Sequence, residues 1–116
     1  MKKGTVVLCR VPMPSTQLLE FKMRPGVVVS KESNNKRLKD IIIAVCTSNV
    51  SRPKEATHVF IFGEDVKMSG IRVPSVVRCE SLFTINKSMI LRALGKLPTR
   101  LKNELDECLK DALELK

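Results

Sequence analysis

The stretch DIIIAVC, from Asp40 to Cys46, consists almost wholly of aliphatic residues and is followed at once by the polar residues Thr47 to Asn49. Its length is typical of a strand, and its isoleucines and valine are β-branched, which favours extended backbone. An uninterrupted apolar run, unlike an alternating one, indicates a strand that is covered on both faces. The sequence therefore predicts a central, doubly buried strand.

Four other short apolar runs have the same β-branched character and are bounded by Gly, Pro, Ser or Asn. They are Thr5 to Val11, Gly26 to Ser30, Val59 to Phe62 and Ser75 to Cys79. Turn residues at Gly63-Glu64-Asp65 and Ser69-Gly70 separate the last two runs. We therefore expect about five main strands, with the last two joined as an antiparallel meander.

The period of the apolar residues changes near the carboxyl end of the chain. From Pro98 to Leu115 they recur at steps of three and four, which predicts an amphipathic helix with Pro98 in its first turn. A shorter helix is expected from Lys87 to Leu94, capped by Asn86 and stopped by Gly95. Strands followed by helices indicate a mainly β fold, a barrel or rolled sheet with a helix packed on it, rather than alternating βαβ units.

The chain is strongly basic. Its 116 residues, which suit one domain spanning 1–116, contain 21 Lys and Arg against 12 Asp and Glu, a formal charge of +9. Residues 1–62 hold 11 of the basic and 4 of the acidic residues, so the surface that faces a polyanion is expected in the first half. The densest basic segment is a polar connection containing Lys31, Lys36, Arg37 and Lys39, for which a solvated loop is the alternative interpretation.

The sequence lacks the residues that several classes of binding and catalysis require. The glycine-rich phosphate-binding motifs are absent, and four cysteines without a Cys-x-x-Cys pair disfavour zinc. We expect these cysteines to be reduced core thiols in a cytoplasmic protein, because each lies in an apolar run and no signal peptide or membrane span is present. The only histidine, His58, adjoins a predicted strand and is expected to be structural or at the surface. With no Trp or Tyr, bases could stack only on four phenylalanines.

Polar residues at the strand ends remain as candidates. They are Arg24 before Pro25, the Thr47 to Asn49 segment after the central strand, and Arg78 and Glu80 on either side of Cys79. Each alone has an ordinary interpretation as a loop charge or a turn residue. Their combination is more informative than any one of them.

Four segments resemble, in the same order and spacing, the signatures of the MazF/PemK/Kid toxins of type II toxin–antitoxin systems. They are KMRPGVVVS at 22–30, VCTS at 45–48, VVRCES at 76–81 followed by FTI at 83–85, and the opening GTVVL at 4–8. The closing amphipathic helix also occupies the same place as in that family, so the resemblance extends over nearly the whole chain.

This resemblance implies a homodimeric SH3-like β-barrel that cleaves single-stranded RNA without a metal or other cofactor and is neutralised by a cognate antitoxin. In such a reaction the ribose 2′-hydroxyl attacks the adjacent phosphorus and leaves a 2′,3′-cyclic phosphate and a 5′-hydroxyl. Arg24 then matches the family's catalytic arginine, which stabilises the charge of the transition state. Whether this arginine also protonates the leaving group stays open. Thr47 matches the catalytic threonine, which positions the scissile phosphate.

The residues expected to contact RNA surround this pair. They are Lys22, Ser48, Asn49, Lys36, Arg37, Lys39, Arg78 and Glu80. Glu80 stands where the family has an aspartate, which in some members is implicated in acid–base catalysis. The extra methylene of glutamate moves the carboxylate, so the resemblance leaves this role of Glu80 in question. The first loop, Pro12 to Phe21, also lacks the family's common pattern, which bears on substrate gating and base preference.

Two other readings stay open at the level of sequence. A barrel of the same ancestry without catalysis would bind its antitoxin, RNA or DNA, because the fold alone does not determine activity. An unrelated basic nucleic-acid-binding domain would require the four motifs to coincide by chance. A 2′-O-methyl or deoxy sugar at the cleavage site separates the enzyme from a pure binder, because only the enzyme needs the 2′-hydroxyl.

Overall fold

A computed structural model describes residues 1–12, 17 and 20–115. Within this part of the chain, six strands form one antiparallel sheet in the order β4-β5-β3-β2-β1-β6. The strands are β1 (Thr5–Pro12), β2 (Phe21–Val28), β3 (Asp40–Thr47), β4 (His58–Ile61), β5 (Ser75–Asn86) and β6 (Ile90–Lys96). The helices are α1 (Glu32–Arg37), α2 (Glu64–Ser69) and α3 (Thr99–Ala112), with a 3₁₀ turn at Lys87–Met89. The mainly β architecture with a carboxyl-terminal helix is therefore confirmed.

The central strand is covered on both faces from Ile43 to Cys46, but Ile42 is 39% exposed, so the predicted double burial does not extend over the whole run. Ile41, Ile43 and Val45 belong to one apolar cluster, which also contains Val7 and Val28. Ala44 and Cys46 belong to a second cluster, which packs between the sheet and α3. Ladder hydrogen bonds join β3 to β2 on one side and to β5 on the other. The last residue of β3, Thr47, is consequently held in place by its pairing with β5.

Helix α3 covers the second cluster with one face. Leu101, Leu105 and Cys108, at helical spacing, are all buried against the sheet. The helix ends at Ala112 rather than Leu115, and Pro98 is its N-cap rather than a residue of its first turn. The four cysteines are buried and unpaired, which agrees with reduced core thiols. Burial raises the pKa of the Cys79 thiol to about 12.

The helix predicted from Lys87 to Leu94 is wrong. Asn86 does cap a short turn, since its side chain accepts the Ser88 N–H at 2.9 Å, but from Ile90 the chain is strand β6. Pairing with β1 decides this, because β1 would otherwise be an unpaired sheet edge. Gly95 does not stop a helix; it lies in β6, where a Cβ would come within 2.7 Å of the Ser69 carbonyl carbon.

Four other expectations need correction. The connection between β2 and β3 contains a short helix, α1, which is anchored by the buried Asn35. The segment between β4 and β5 is helix α2 rather than two turns, although β4 and β5 pair antiparallel as expected. Strand β5 continues to Asn86, and β2 begins at Phe21 instead of Gly26.

Candidate active site

Two adjoining grooves open where the ends of β2 and β3 meet. The larger has a volume of about 520 Å³ and the smaller about 200 Å³. Arg24 and Thr47 line both grooves, so these two side chains stand at their junction. The family resemblance implied that these residues are the catalytic pair, and the fold brings them together from different strands.

Arg24 is held by the middle of strand β2. Its backbone is paired with Cys9 of β1, and its carbonyl oxygen accepts the Cys9 thiol at 3.5 Å. Two residues later Gly26 pairs with Val45 of β3, so the backbone around Arg24 is fixed from both sides. The side chain is half-buried and has no carboxylate partner in the described residues. Its guanidinium donors are therefore available to an anion in the groove.

Thr47 is the last residue of β3 and is paired with Val76 of β5. Its Oγ1 accepts the backbone N–H of Asn49 at 3.2 Å. Because the oxygen accepts from Asn49, the hydroxyl proton can point away from Asn49 and toward a ligand. The Asn49 side chain turns instead to Ser51, whose N–H and Oγ donate to Oδ1 at 3.3 Å and 2.7 Å. Ser48 lies in the lining of the larger groove next to Thr47.

The larger groove is positively charged. Lys22, Arg72 and Arg92 line it together with Arg24, and no Asp or Glu of the described residues does so. None of these four cations forms an ion pair within the described part of the chain. Arg72 and Arg92 were missed by sequence reasoning. The sequence predicts a helix at Arg92. Nothing in the sequence around Arg72, which follows a turn, indicates that this residue lies close to β2.

Arg78 lines the smaller groove, and Glu80 lies beside it but outside both groove linings. The two side chains are joined by a bond of 3.1 Å between Arg78 Nε and Glu80 Oε2. Glu80 also accepts from Thr57 Oγ1 at 3.0 Å and lies 3.2 Å from Nε2 of His58. His58 is buried, so the expectation of a structural histidine agrees with its position.

Partial burial raises the pKa of Glu80, but hydrogen bonds from its own backbone N–H, Thr57, His58 and Arg78 outweigh this and lower it to about 2. A carboxyl group whose pKa is lowered by folding stabilises the folded state above its ordinary pKa of 4.5, and this stabilisation is lost as the pH falls toward 2. We therefore expect Glu80→Gln to be less stable than the wild type at pH 6. The difference should shrink below pH 4.5 in urea titrations. A difference that is constant from pH 6 to pH 2.5 would contradict the assignment.

Among the described residues, no cluster of three or more His, Cys, Asp or Glu side chains could hold a metal ion. The described helices also include none that is long and apolar enough to cross a membrane.

Comparison with known proteins gives the chain a family. The family model of the PemK-like, MazF-like toxins of type II toxin–antitoxin systems matches residues 2–113. The chain belongs to this family. The resemblance seen in the four sequence motifs is thereby confirmed.

The relatives of this MazF-like chain are similar over most of their length. Endoribonuclease MazF6 of Mycobacterium tuberculosis is 32% identical over 97 residues, which are 81% of this chain and 81% of that protein. Endoribonuclease EndoA of Bacillus subtilis is 29% identical over 93 residues, 80% of this chain and 78% of that protein. A solved endoribonuclease in complex with its cognate antitoxin, from Mycobacterial species, has a TM-score of 0.79 at 21% identity, covering 100% and 97% of the two chains. That last likeness shows a shared fold.

The basic segment of this MazF-like chain lies apart from the grooves that contain Arg24. Lys36 lines a separate hollow with Met1 and Lys87, and Arg37 donates to Asn34 Oδ1 at 3.2 Å on the exposed side of α1. Lys39 is exposed between α1 and β3. The structure therefore does not bring these three predicted RNA contacts to the catalytic pair. The first loop, Pro12 to Phe21, lies largely outside the described residues, since 13–16 and 18–19 are not among them.

The salt dependence of RNA binding should distinguish the two basic regions. Each phosphate contact in single-stranded nucleic acid adds about 0.7 to the slope of log K against log salt. Replacing Lys22, Arg72 and Arg92 with alanine is therefore expected to lower the slope by about 2. Replacing Lys36, Arg37 and Lys39 removes the same charge and should lower it less. Fluorescence anisotropy with a 2′-deoxy-substituted RNA measures both, and a larger effect of the second triple would reverse the assignment.

Proposed function

We propose that this chain is an endoribonuclease toxin that cleaves single-stranded RNA without a metal and is neutralised by a cognate antitoxin. The observation that carries this proposal is the convergence of Arg24 and Thr47 at the junction of two grooves, one of them lined by cations that form no ion pair among the described residues. The relatives from Mycobacterium tuberculosis and Bacillus subtilis are named endoribonucleases, which supports the same activity.

The chemistry requires charge stabilisation, positioning and two proton transfers. Attack of the 2′-hydroxyl on the adjacent phosphorus forms a dianionic phosphorane as the hydroxyl proton passes to a water molecule. The phosphorane collapses to a 2′,3′-cyclic phosphate as its bond to the 5′ oxygen breaks, and that oxygen takes up a proton from water and leaves as a 5′-hydroxyl. Donors that are already fixed where this charge develops stabilise the transition state without reorganisation. The planar guanidinium of Arg24 can donate two parallel hydrogen bonds to phosphate oxygens, which a lysine cannot do. We assign the transition-state charge to Arg24.

The residues around Arg24 take supporting roles. The Thr47 oxygen already accepts a hydrogen bond from the Asn49 N–H. Its hydroxyl donates a hydrogen bond to the scissile phosphate and so orients that phosphate. Arg78 faces the same phosphate from the smaller groove. Lys22, Arg72 and Arg92 hold the phosphates of neighbouring nucleotides in the larger groove. Ser48, in that same lining, supplies a further polar contact to the RNA.

The partners and setting of the protein belong to the same proposal. The related endoribonuclease from Mycobacterial species was solved in complex with its cognate antitoxin, and we propose an acidic antitoxin for this basic chain. We also propose that residues 1–116 form one domain, that this domain acts as a cytoplasmic homodimer, and that sedimentation gives a mass of twice 13.0 kDa. A species of monomer mass at micromolar concentration would contradict the dimer.

The decisive experiment incubates the purified protein with end-labelled single-stranded RNA in EDTA. We expect cuts that leave a 5′-hydroxyl, and no cut where the same RNA carries a 2′-deoxy sugar at the cleavage site, because the nucleophile is then missing. The deoxy RNA should still bind. Binding of both RNAs without cleavage of either would favour the alternative, a MazF-like barrel that has lost catalysis and serves as a binding module.

A further inference from the structure

We propose that Glu80 is a positioning residue, which together with the buried His58 fixes the guanidinium of Arg78 at the groove that contains Arg24 and Thr47. The inference rests on the proposed function and deepens it. Its basis is a continuous set of hydrogen bonds that runs from the backbone of the 55–58 segment through two side chains to the edge of the groove.

The path begins at His58. The backbone N–H of Glu55 donates to Nδ1 at 3.3 Å, so this ring nitrogen is an acceptor. The other nitrogen, Nε2, then carries the proton and donates it to Glu80 Oε2 at 3.2 Å. The imidazole is 2% exposed, and its backbone pairs with Arg78 across β4 and β5. The ring therefore has one position and presents one donor to Glu80.

Glu80 in turn is held from inside the protein by three side-chain donors. Oε1 accepts from Thr57 at 3.0 Å, and Oε2 accepts from both His58 and Arg78. A general base must have a free lone pair directed at the substrate and a pKa near the working pH. Glu80 meets neither condition, because its pKa is about 2 and it lines neither groove. Its negative charge would also repel RNA, which argues against direct contact.

Alternation along β5 puts Arg78 and Glu80 on the same side of the strand, next to a distortion of its ladder. Ala44 of β3 pairs with Leu82, but the next residue, Val45, pairs with Arg78, so residues 79–81 bulge out of the ladder. Bulges commonly redirect side chains next to active sites. Within this one, the buried Cys79 separates Arg78 and Glu80, whose side chains meet on the outer side.

The bond to Glu80 uses the Nε of Arg78 and leaves its two terminal nitrogens for the groove. A guanidinium is planar, so fixing Nε also fixes the directions of the remaining N–H groups. Without Glu80, the 36%-exposed Arg78 side chain would be free to sample other rotamers. Glu80 and His58 thus act on RNA only through Arg78.

A double-mutant cycle tests this dependence. We compare Glu80→Gln, Arg78→Ala and the double variant by single-turnover cleavage of a short RNA. Loss of Arg78 orientation is expected to slow Glu80→Gln by up to about 10²-fold, on the scale of a 1 Å misplacement. In the Arg78→Ala background, Glu80→Gln should cause no further loss. Losses that multiply would show that Glu80 acts independently and would overturn the proposal.

The matched control is Glu104→Gln. Glu104 is on α3 and pairs with Lys54 at 2.6 Å, so this variant removes the same charge and also breaks an ion pair, but away from the grooves. It should cleave as the wild type does. If Glu80→Gln does not fold, Thr57→Val removes only the bond to Oε1 and should give a smaller loss in the same direction. Wild-type cleavage by Thr57→Val would then overturn the proposal.

A second measurement separates this inference from the proposed function. The Nε–H proton of Arg78 should exchange slowly with water by NMR in the wild type and quickly in Glu80→Gln. If the wild type cleaves no RNA, the proposed function fails, yet this exchange still reports whether Glu80 fixes Arg78. Fast exchange of this proton in the wild type would overturn the positioning role even if cleavage is observed.

Discussion

Replacing Arg24 with alanine is expected to slow RNA cleavage by about 10²- to 10³-fold, the cost of removing one fixed donor from a developing oxyanion. Arg24 lies at the junction of both grooves and has no carboxylate partner in the described residues, so its charge is directed to a ligand. Single-turnover cleavage measures the loss. The free energy of unfolding should hardly change, because no ion pair within those residues is lost.

Two variants make this result specific. Arg100→Ala removes an exposed arginine whose only ion pair among the described residues, to Asp65 at 2.6 Å, is outside both grooves, and should leave cleavage unchanged. Arg24→Lys keeps the charge but not the planar donors, so it should recover only part of the rate. Cleavage by Arg24→Ala at the wild-type rate would remove Arg24 from the mechanism. Equal losses in Arg24→Ala and Arg100→Ala would indicate a general effect of charge.

The elements that local sequence predicts well are those buried along a continuous stretch. The run from Asp40 to Cys46 and the period of α3 both report how side chains are covered, and both elements were predicted, although Ile42 is exposed and α3 ends at Ala112. The prediction of a helix at residues 87–94 was wrong because the spacing of Ile90, Leu91 and Leu94 fits a helix as well as a strand. Only pairing with β1, more than 80 residues earlier in the chain, makes them a strand.

The candidate site, like the fold, was predicted only in part. The family resemblance assigned roles to Arg24 and Thr47, which the structure places together. It gave no signal for Arg72 or Arg92, because these residues reach the larger groove only through the contact of α2 with β6. It also could not show that Glu80 is bonded to His58, since that bond depends on how the β5 bulge is formed.

The contact between α2 and β6 leads to the second large effect, which concerns Gly70. This residue caps α2 with φ +75°, and a Cβ there would overlap the carbonyl oxygen of Leu94 in β6. Gly70→Ala is therefore expected to cost about 1–2 kcal/mol for the left-handed backbone. A further 1–3 kcal/mol or so comes from the overlap. Urea denaturation should show a lower midpoint with an unchanged slope.

Of two other glycines, one separates these costs. Gly63, at the start of the same helix, has φ +57° and ψ −129°, outside the left-handed helical region of Gly70, so Gly63→Ala does not measure the backbone cost at Gly70. Gly95 has no positive φ but meets the backbone of Met68 and Ser69, so Gly95→Ala carries the overlap alone. Gly70→Ala should destabilise the protein more than Gly95→Ala. An equal cost would show that the left-handed backbone of Gly70 does not contribute.

The Gly70 variant also connects stability to the site. Gly70 and Leu94 both line the larger groove, and the residues that follow Gly70 are the buried Ile71 and the groove cation Arg72. Relief of the overlap must move α2 away from β6 and shift Arg72 with it. The folded fraction of Gly70→Ala should therefore bind deoxy-substituted RNA more weakly, with a reduced salt slope. Wild-type binding by the folded fraction would show that Arg72 contributes little.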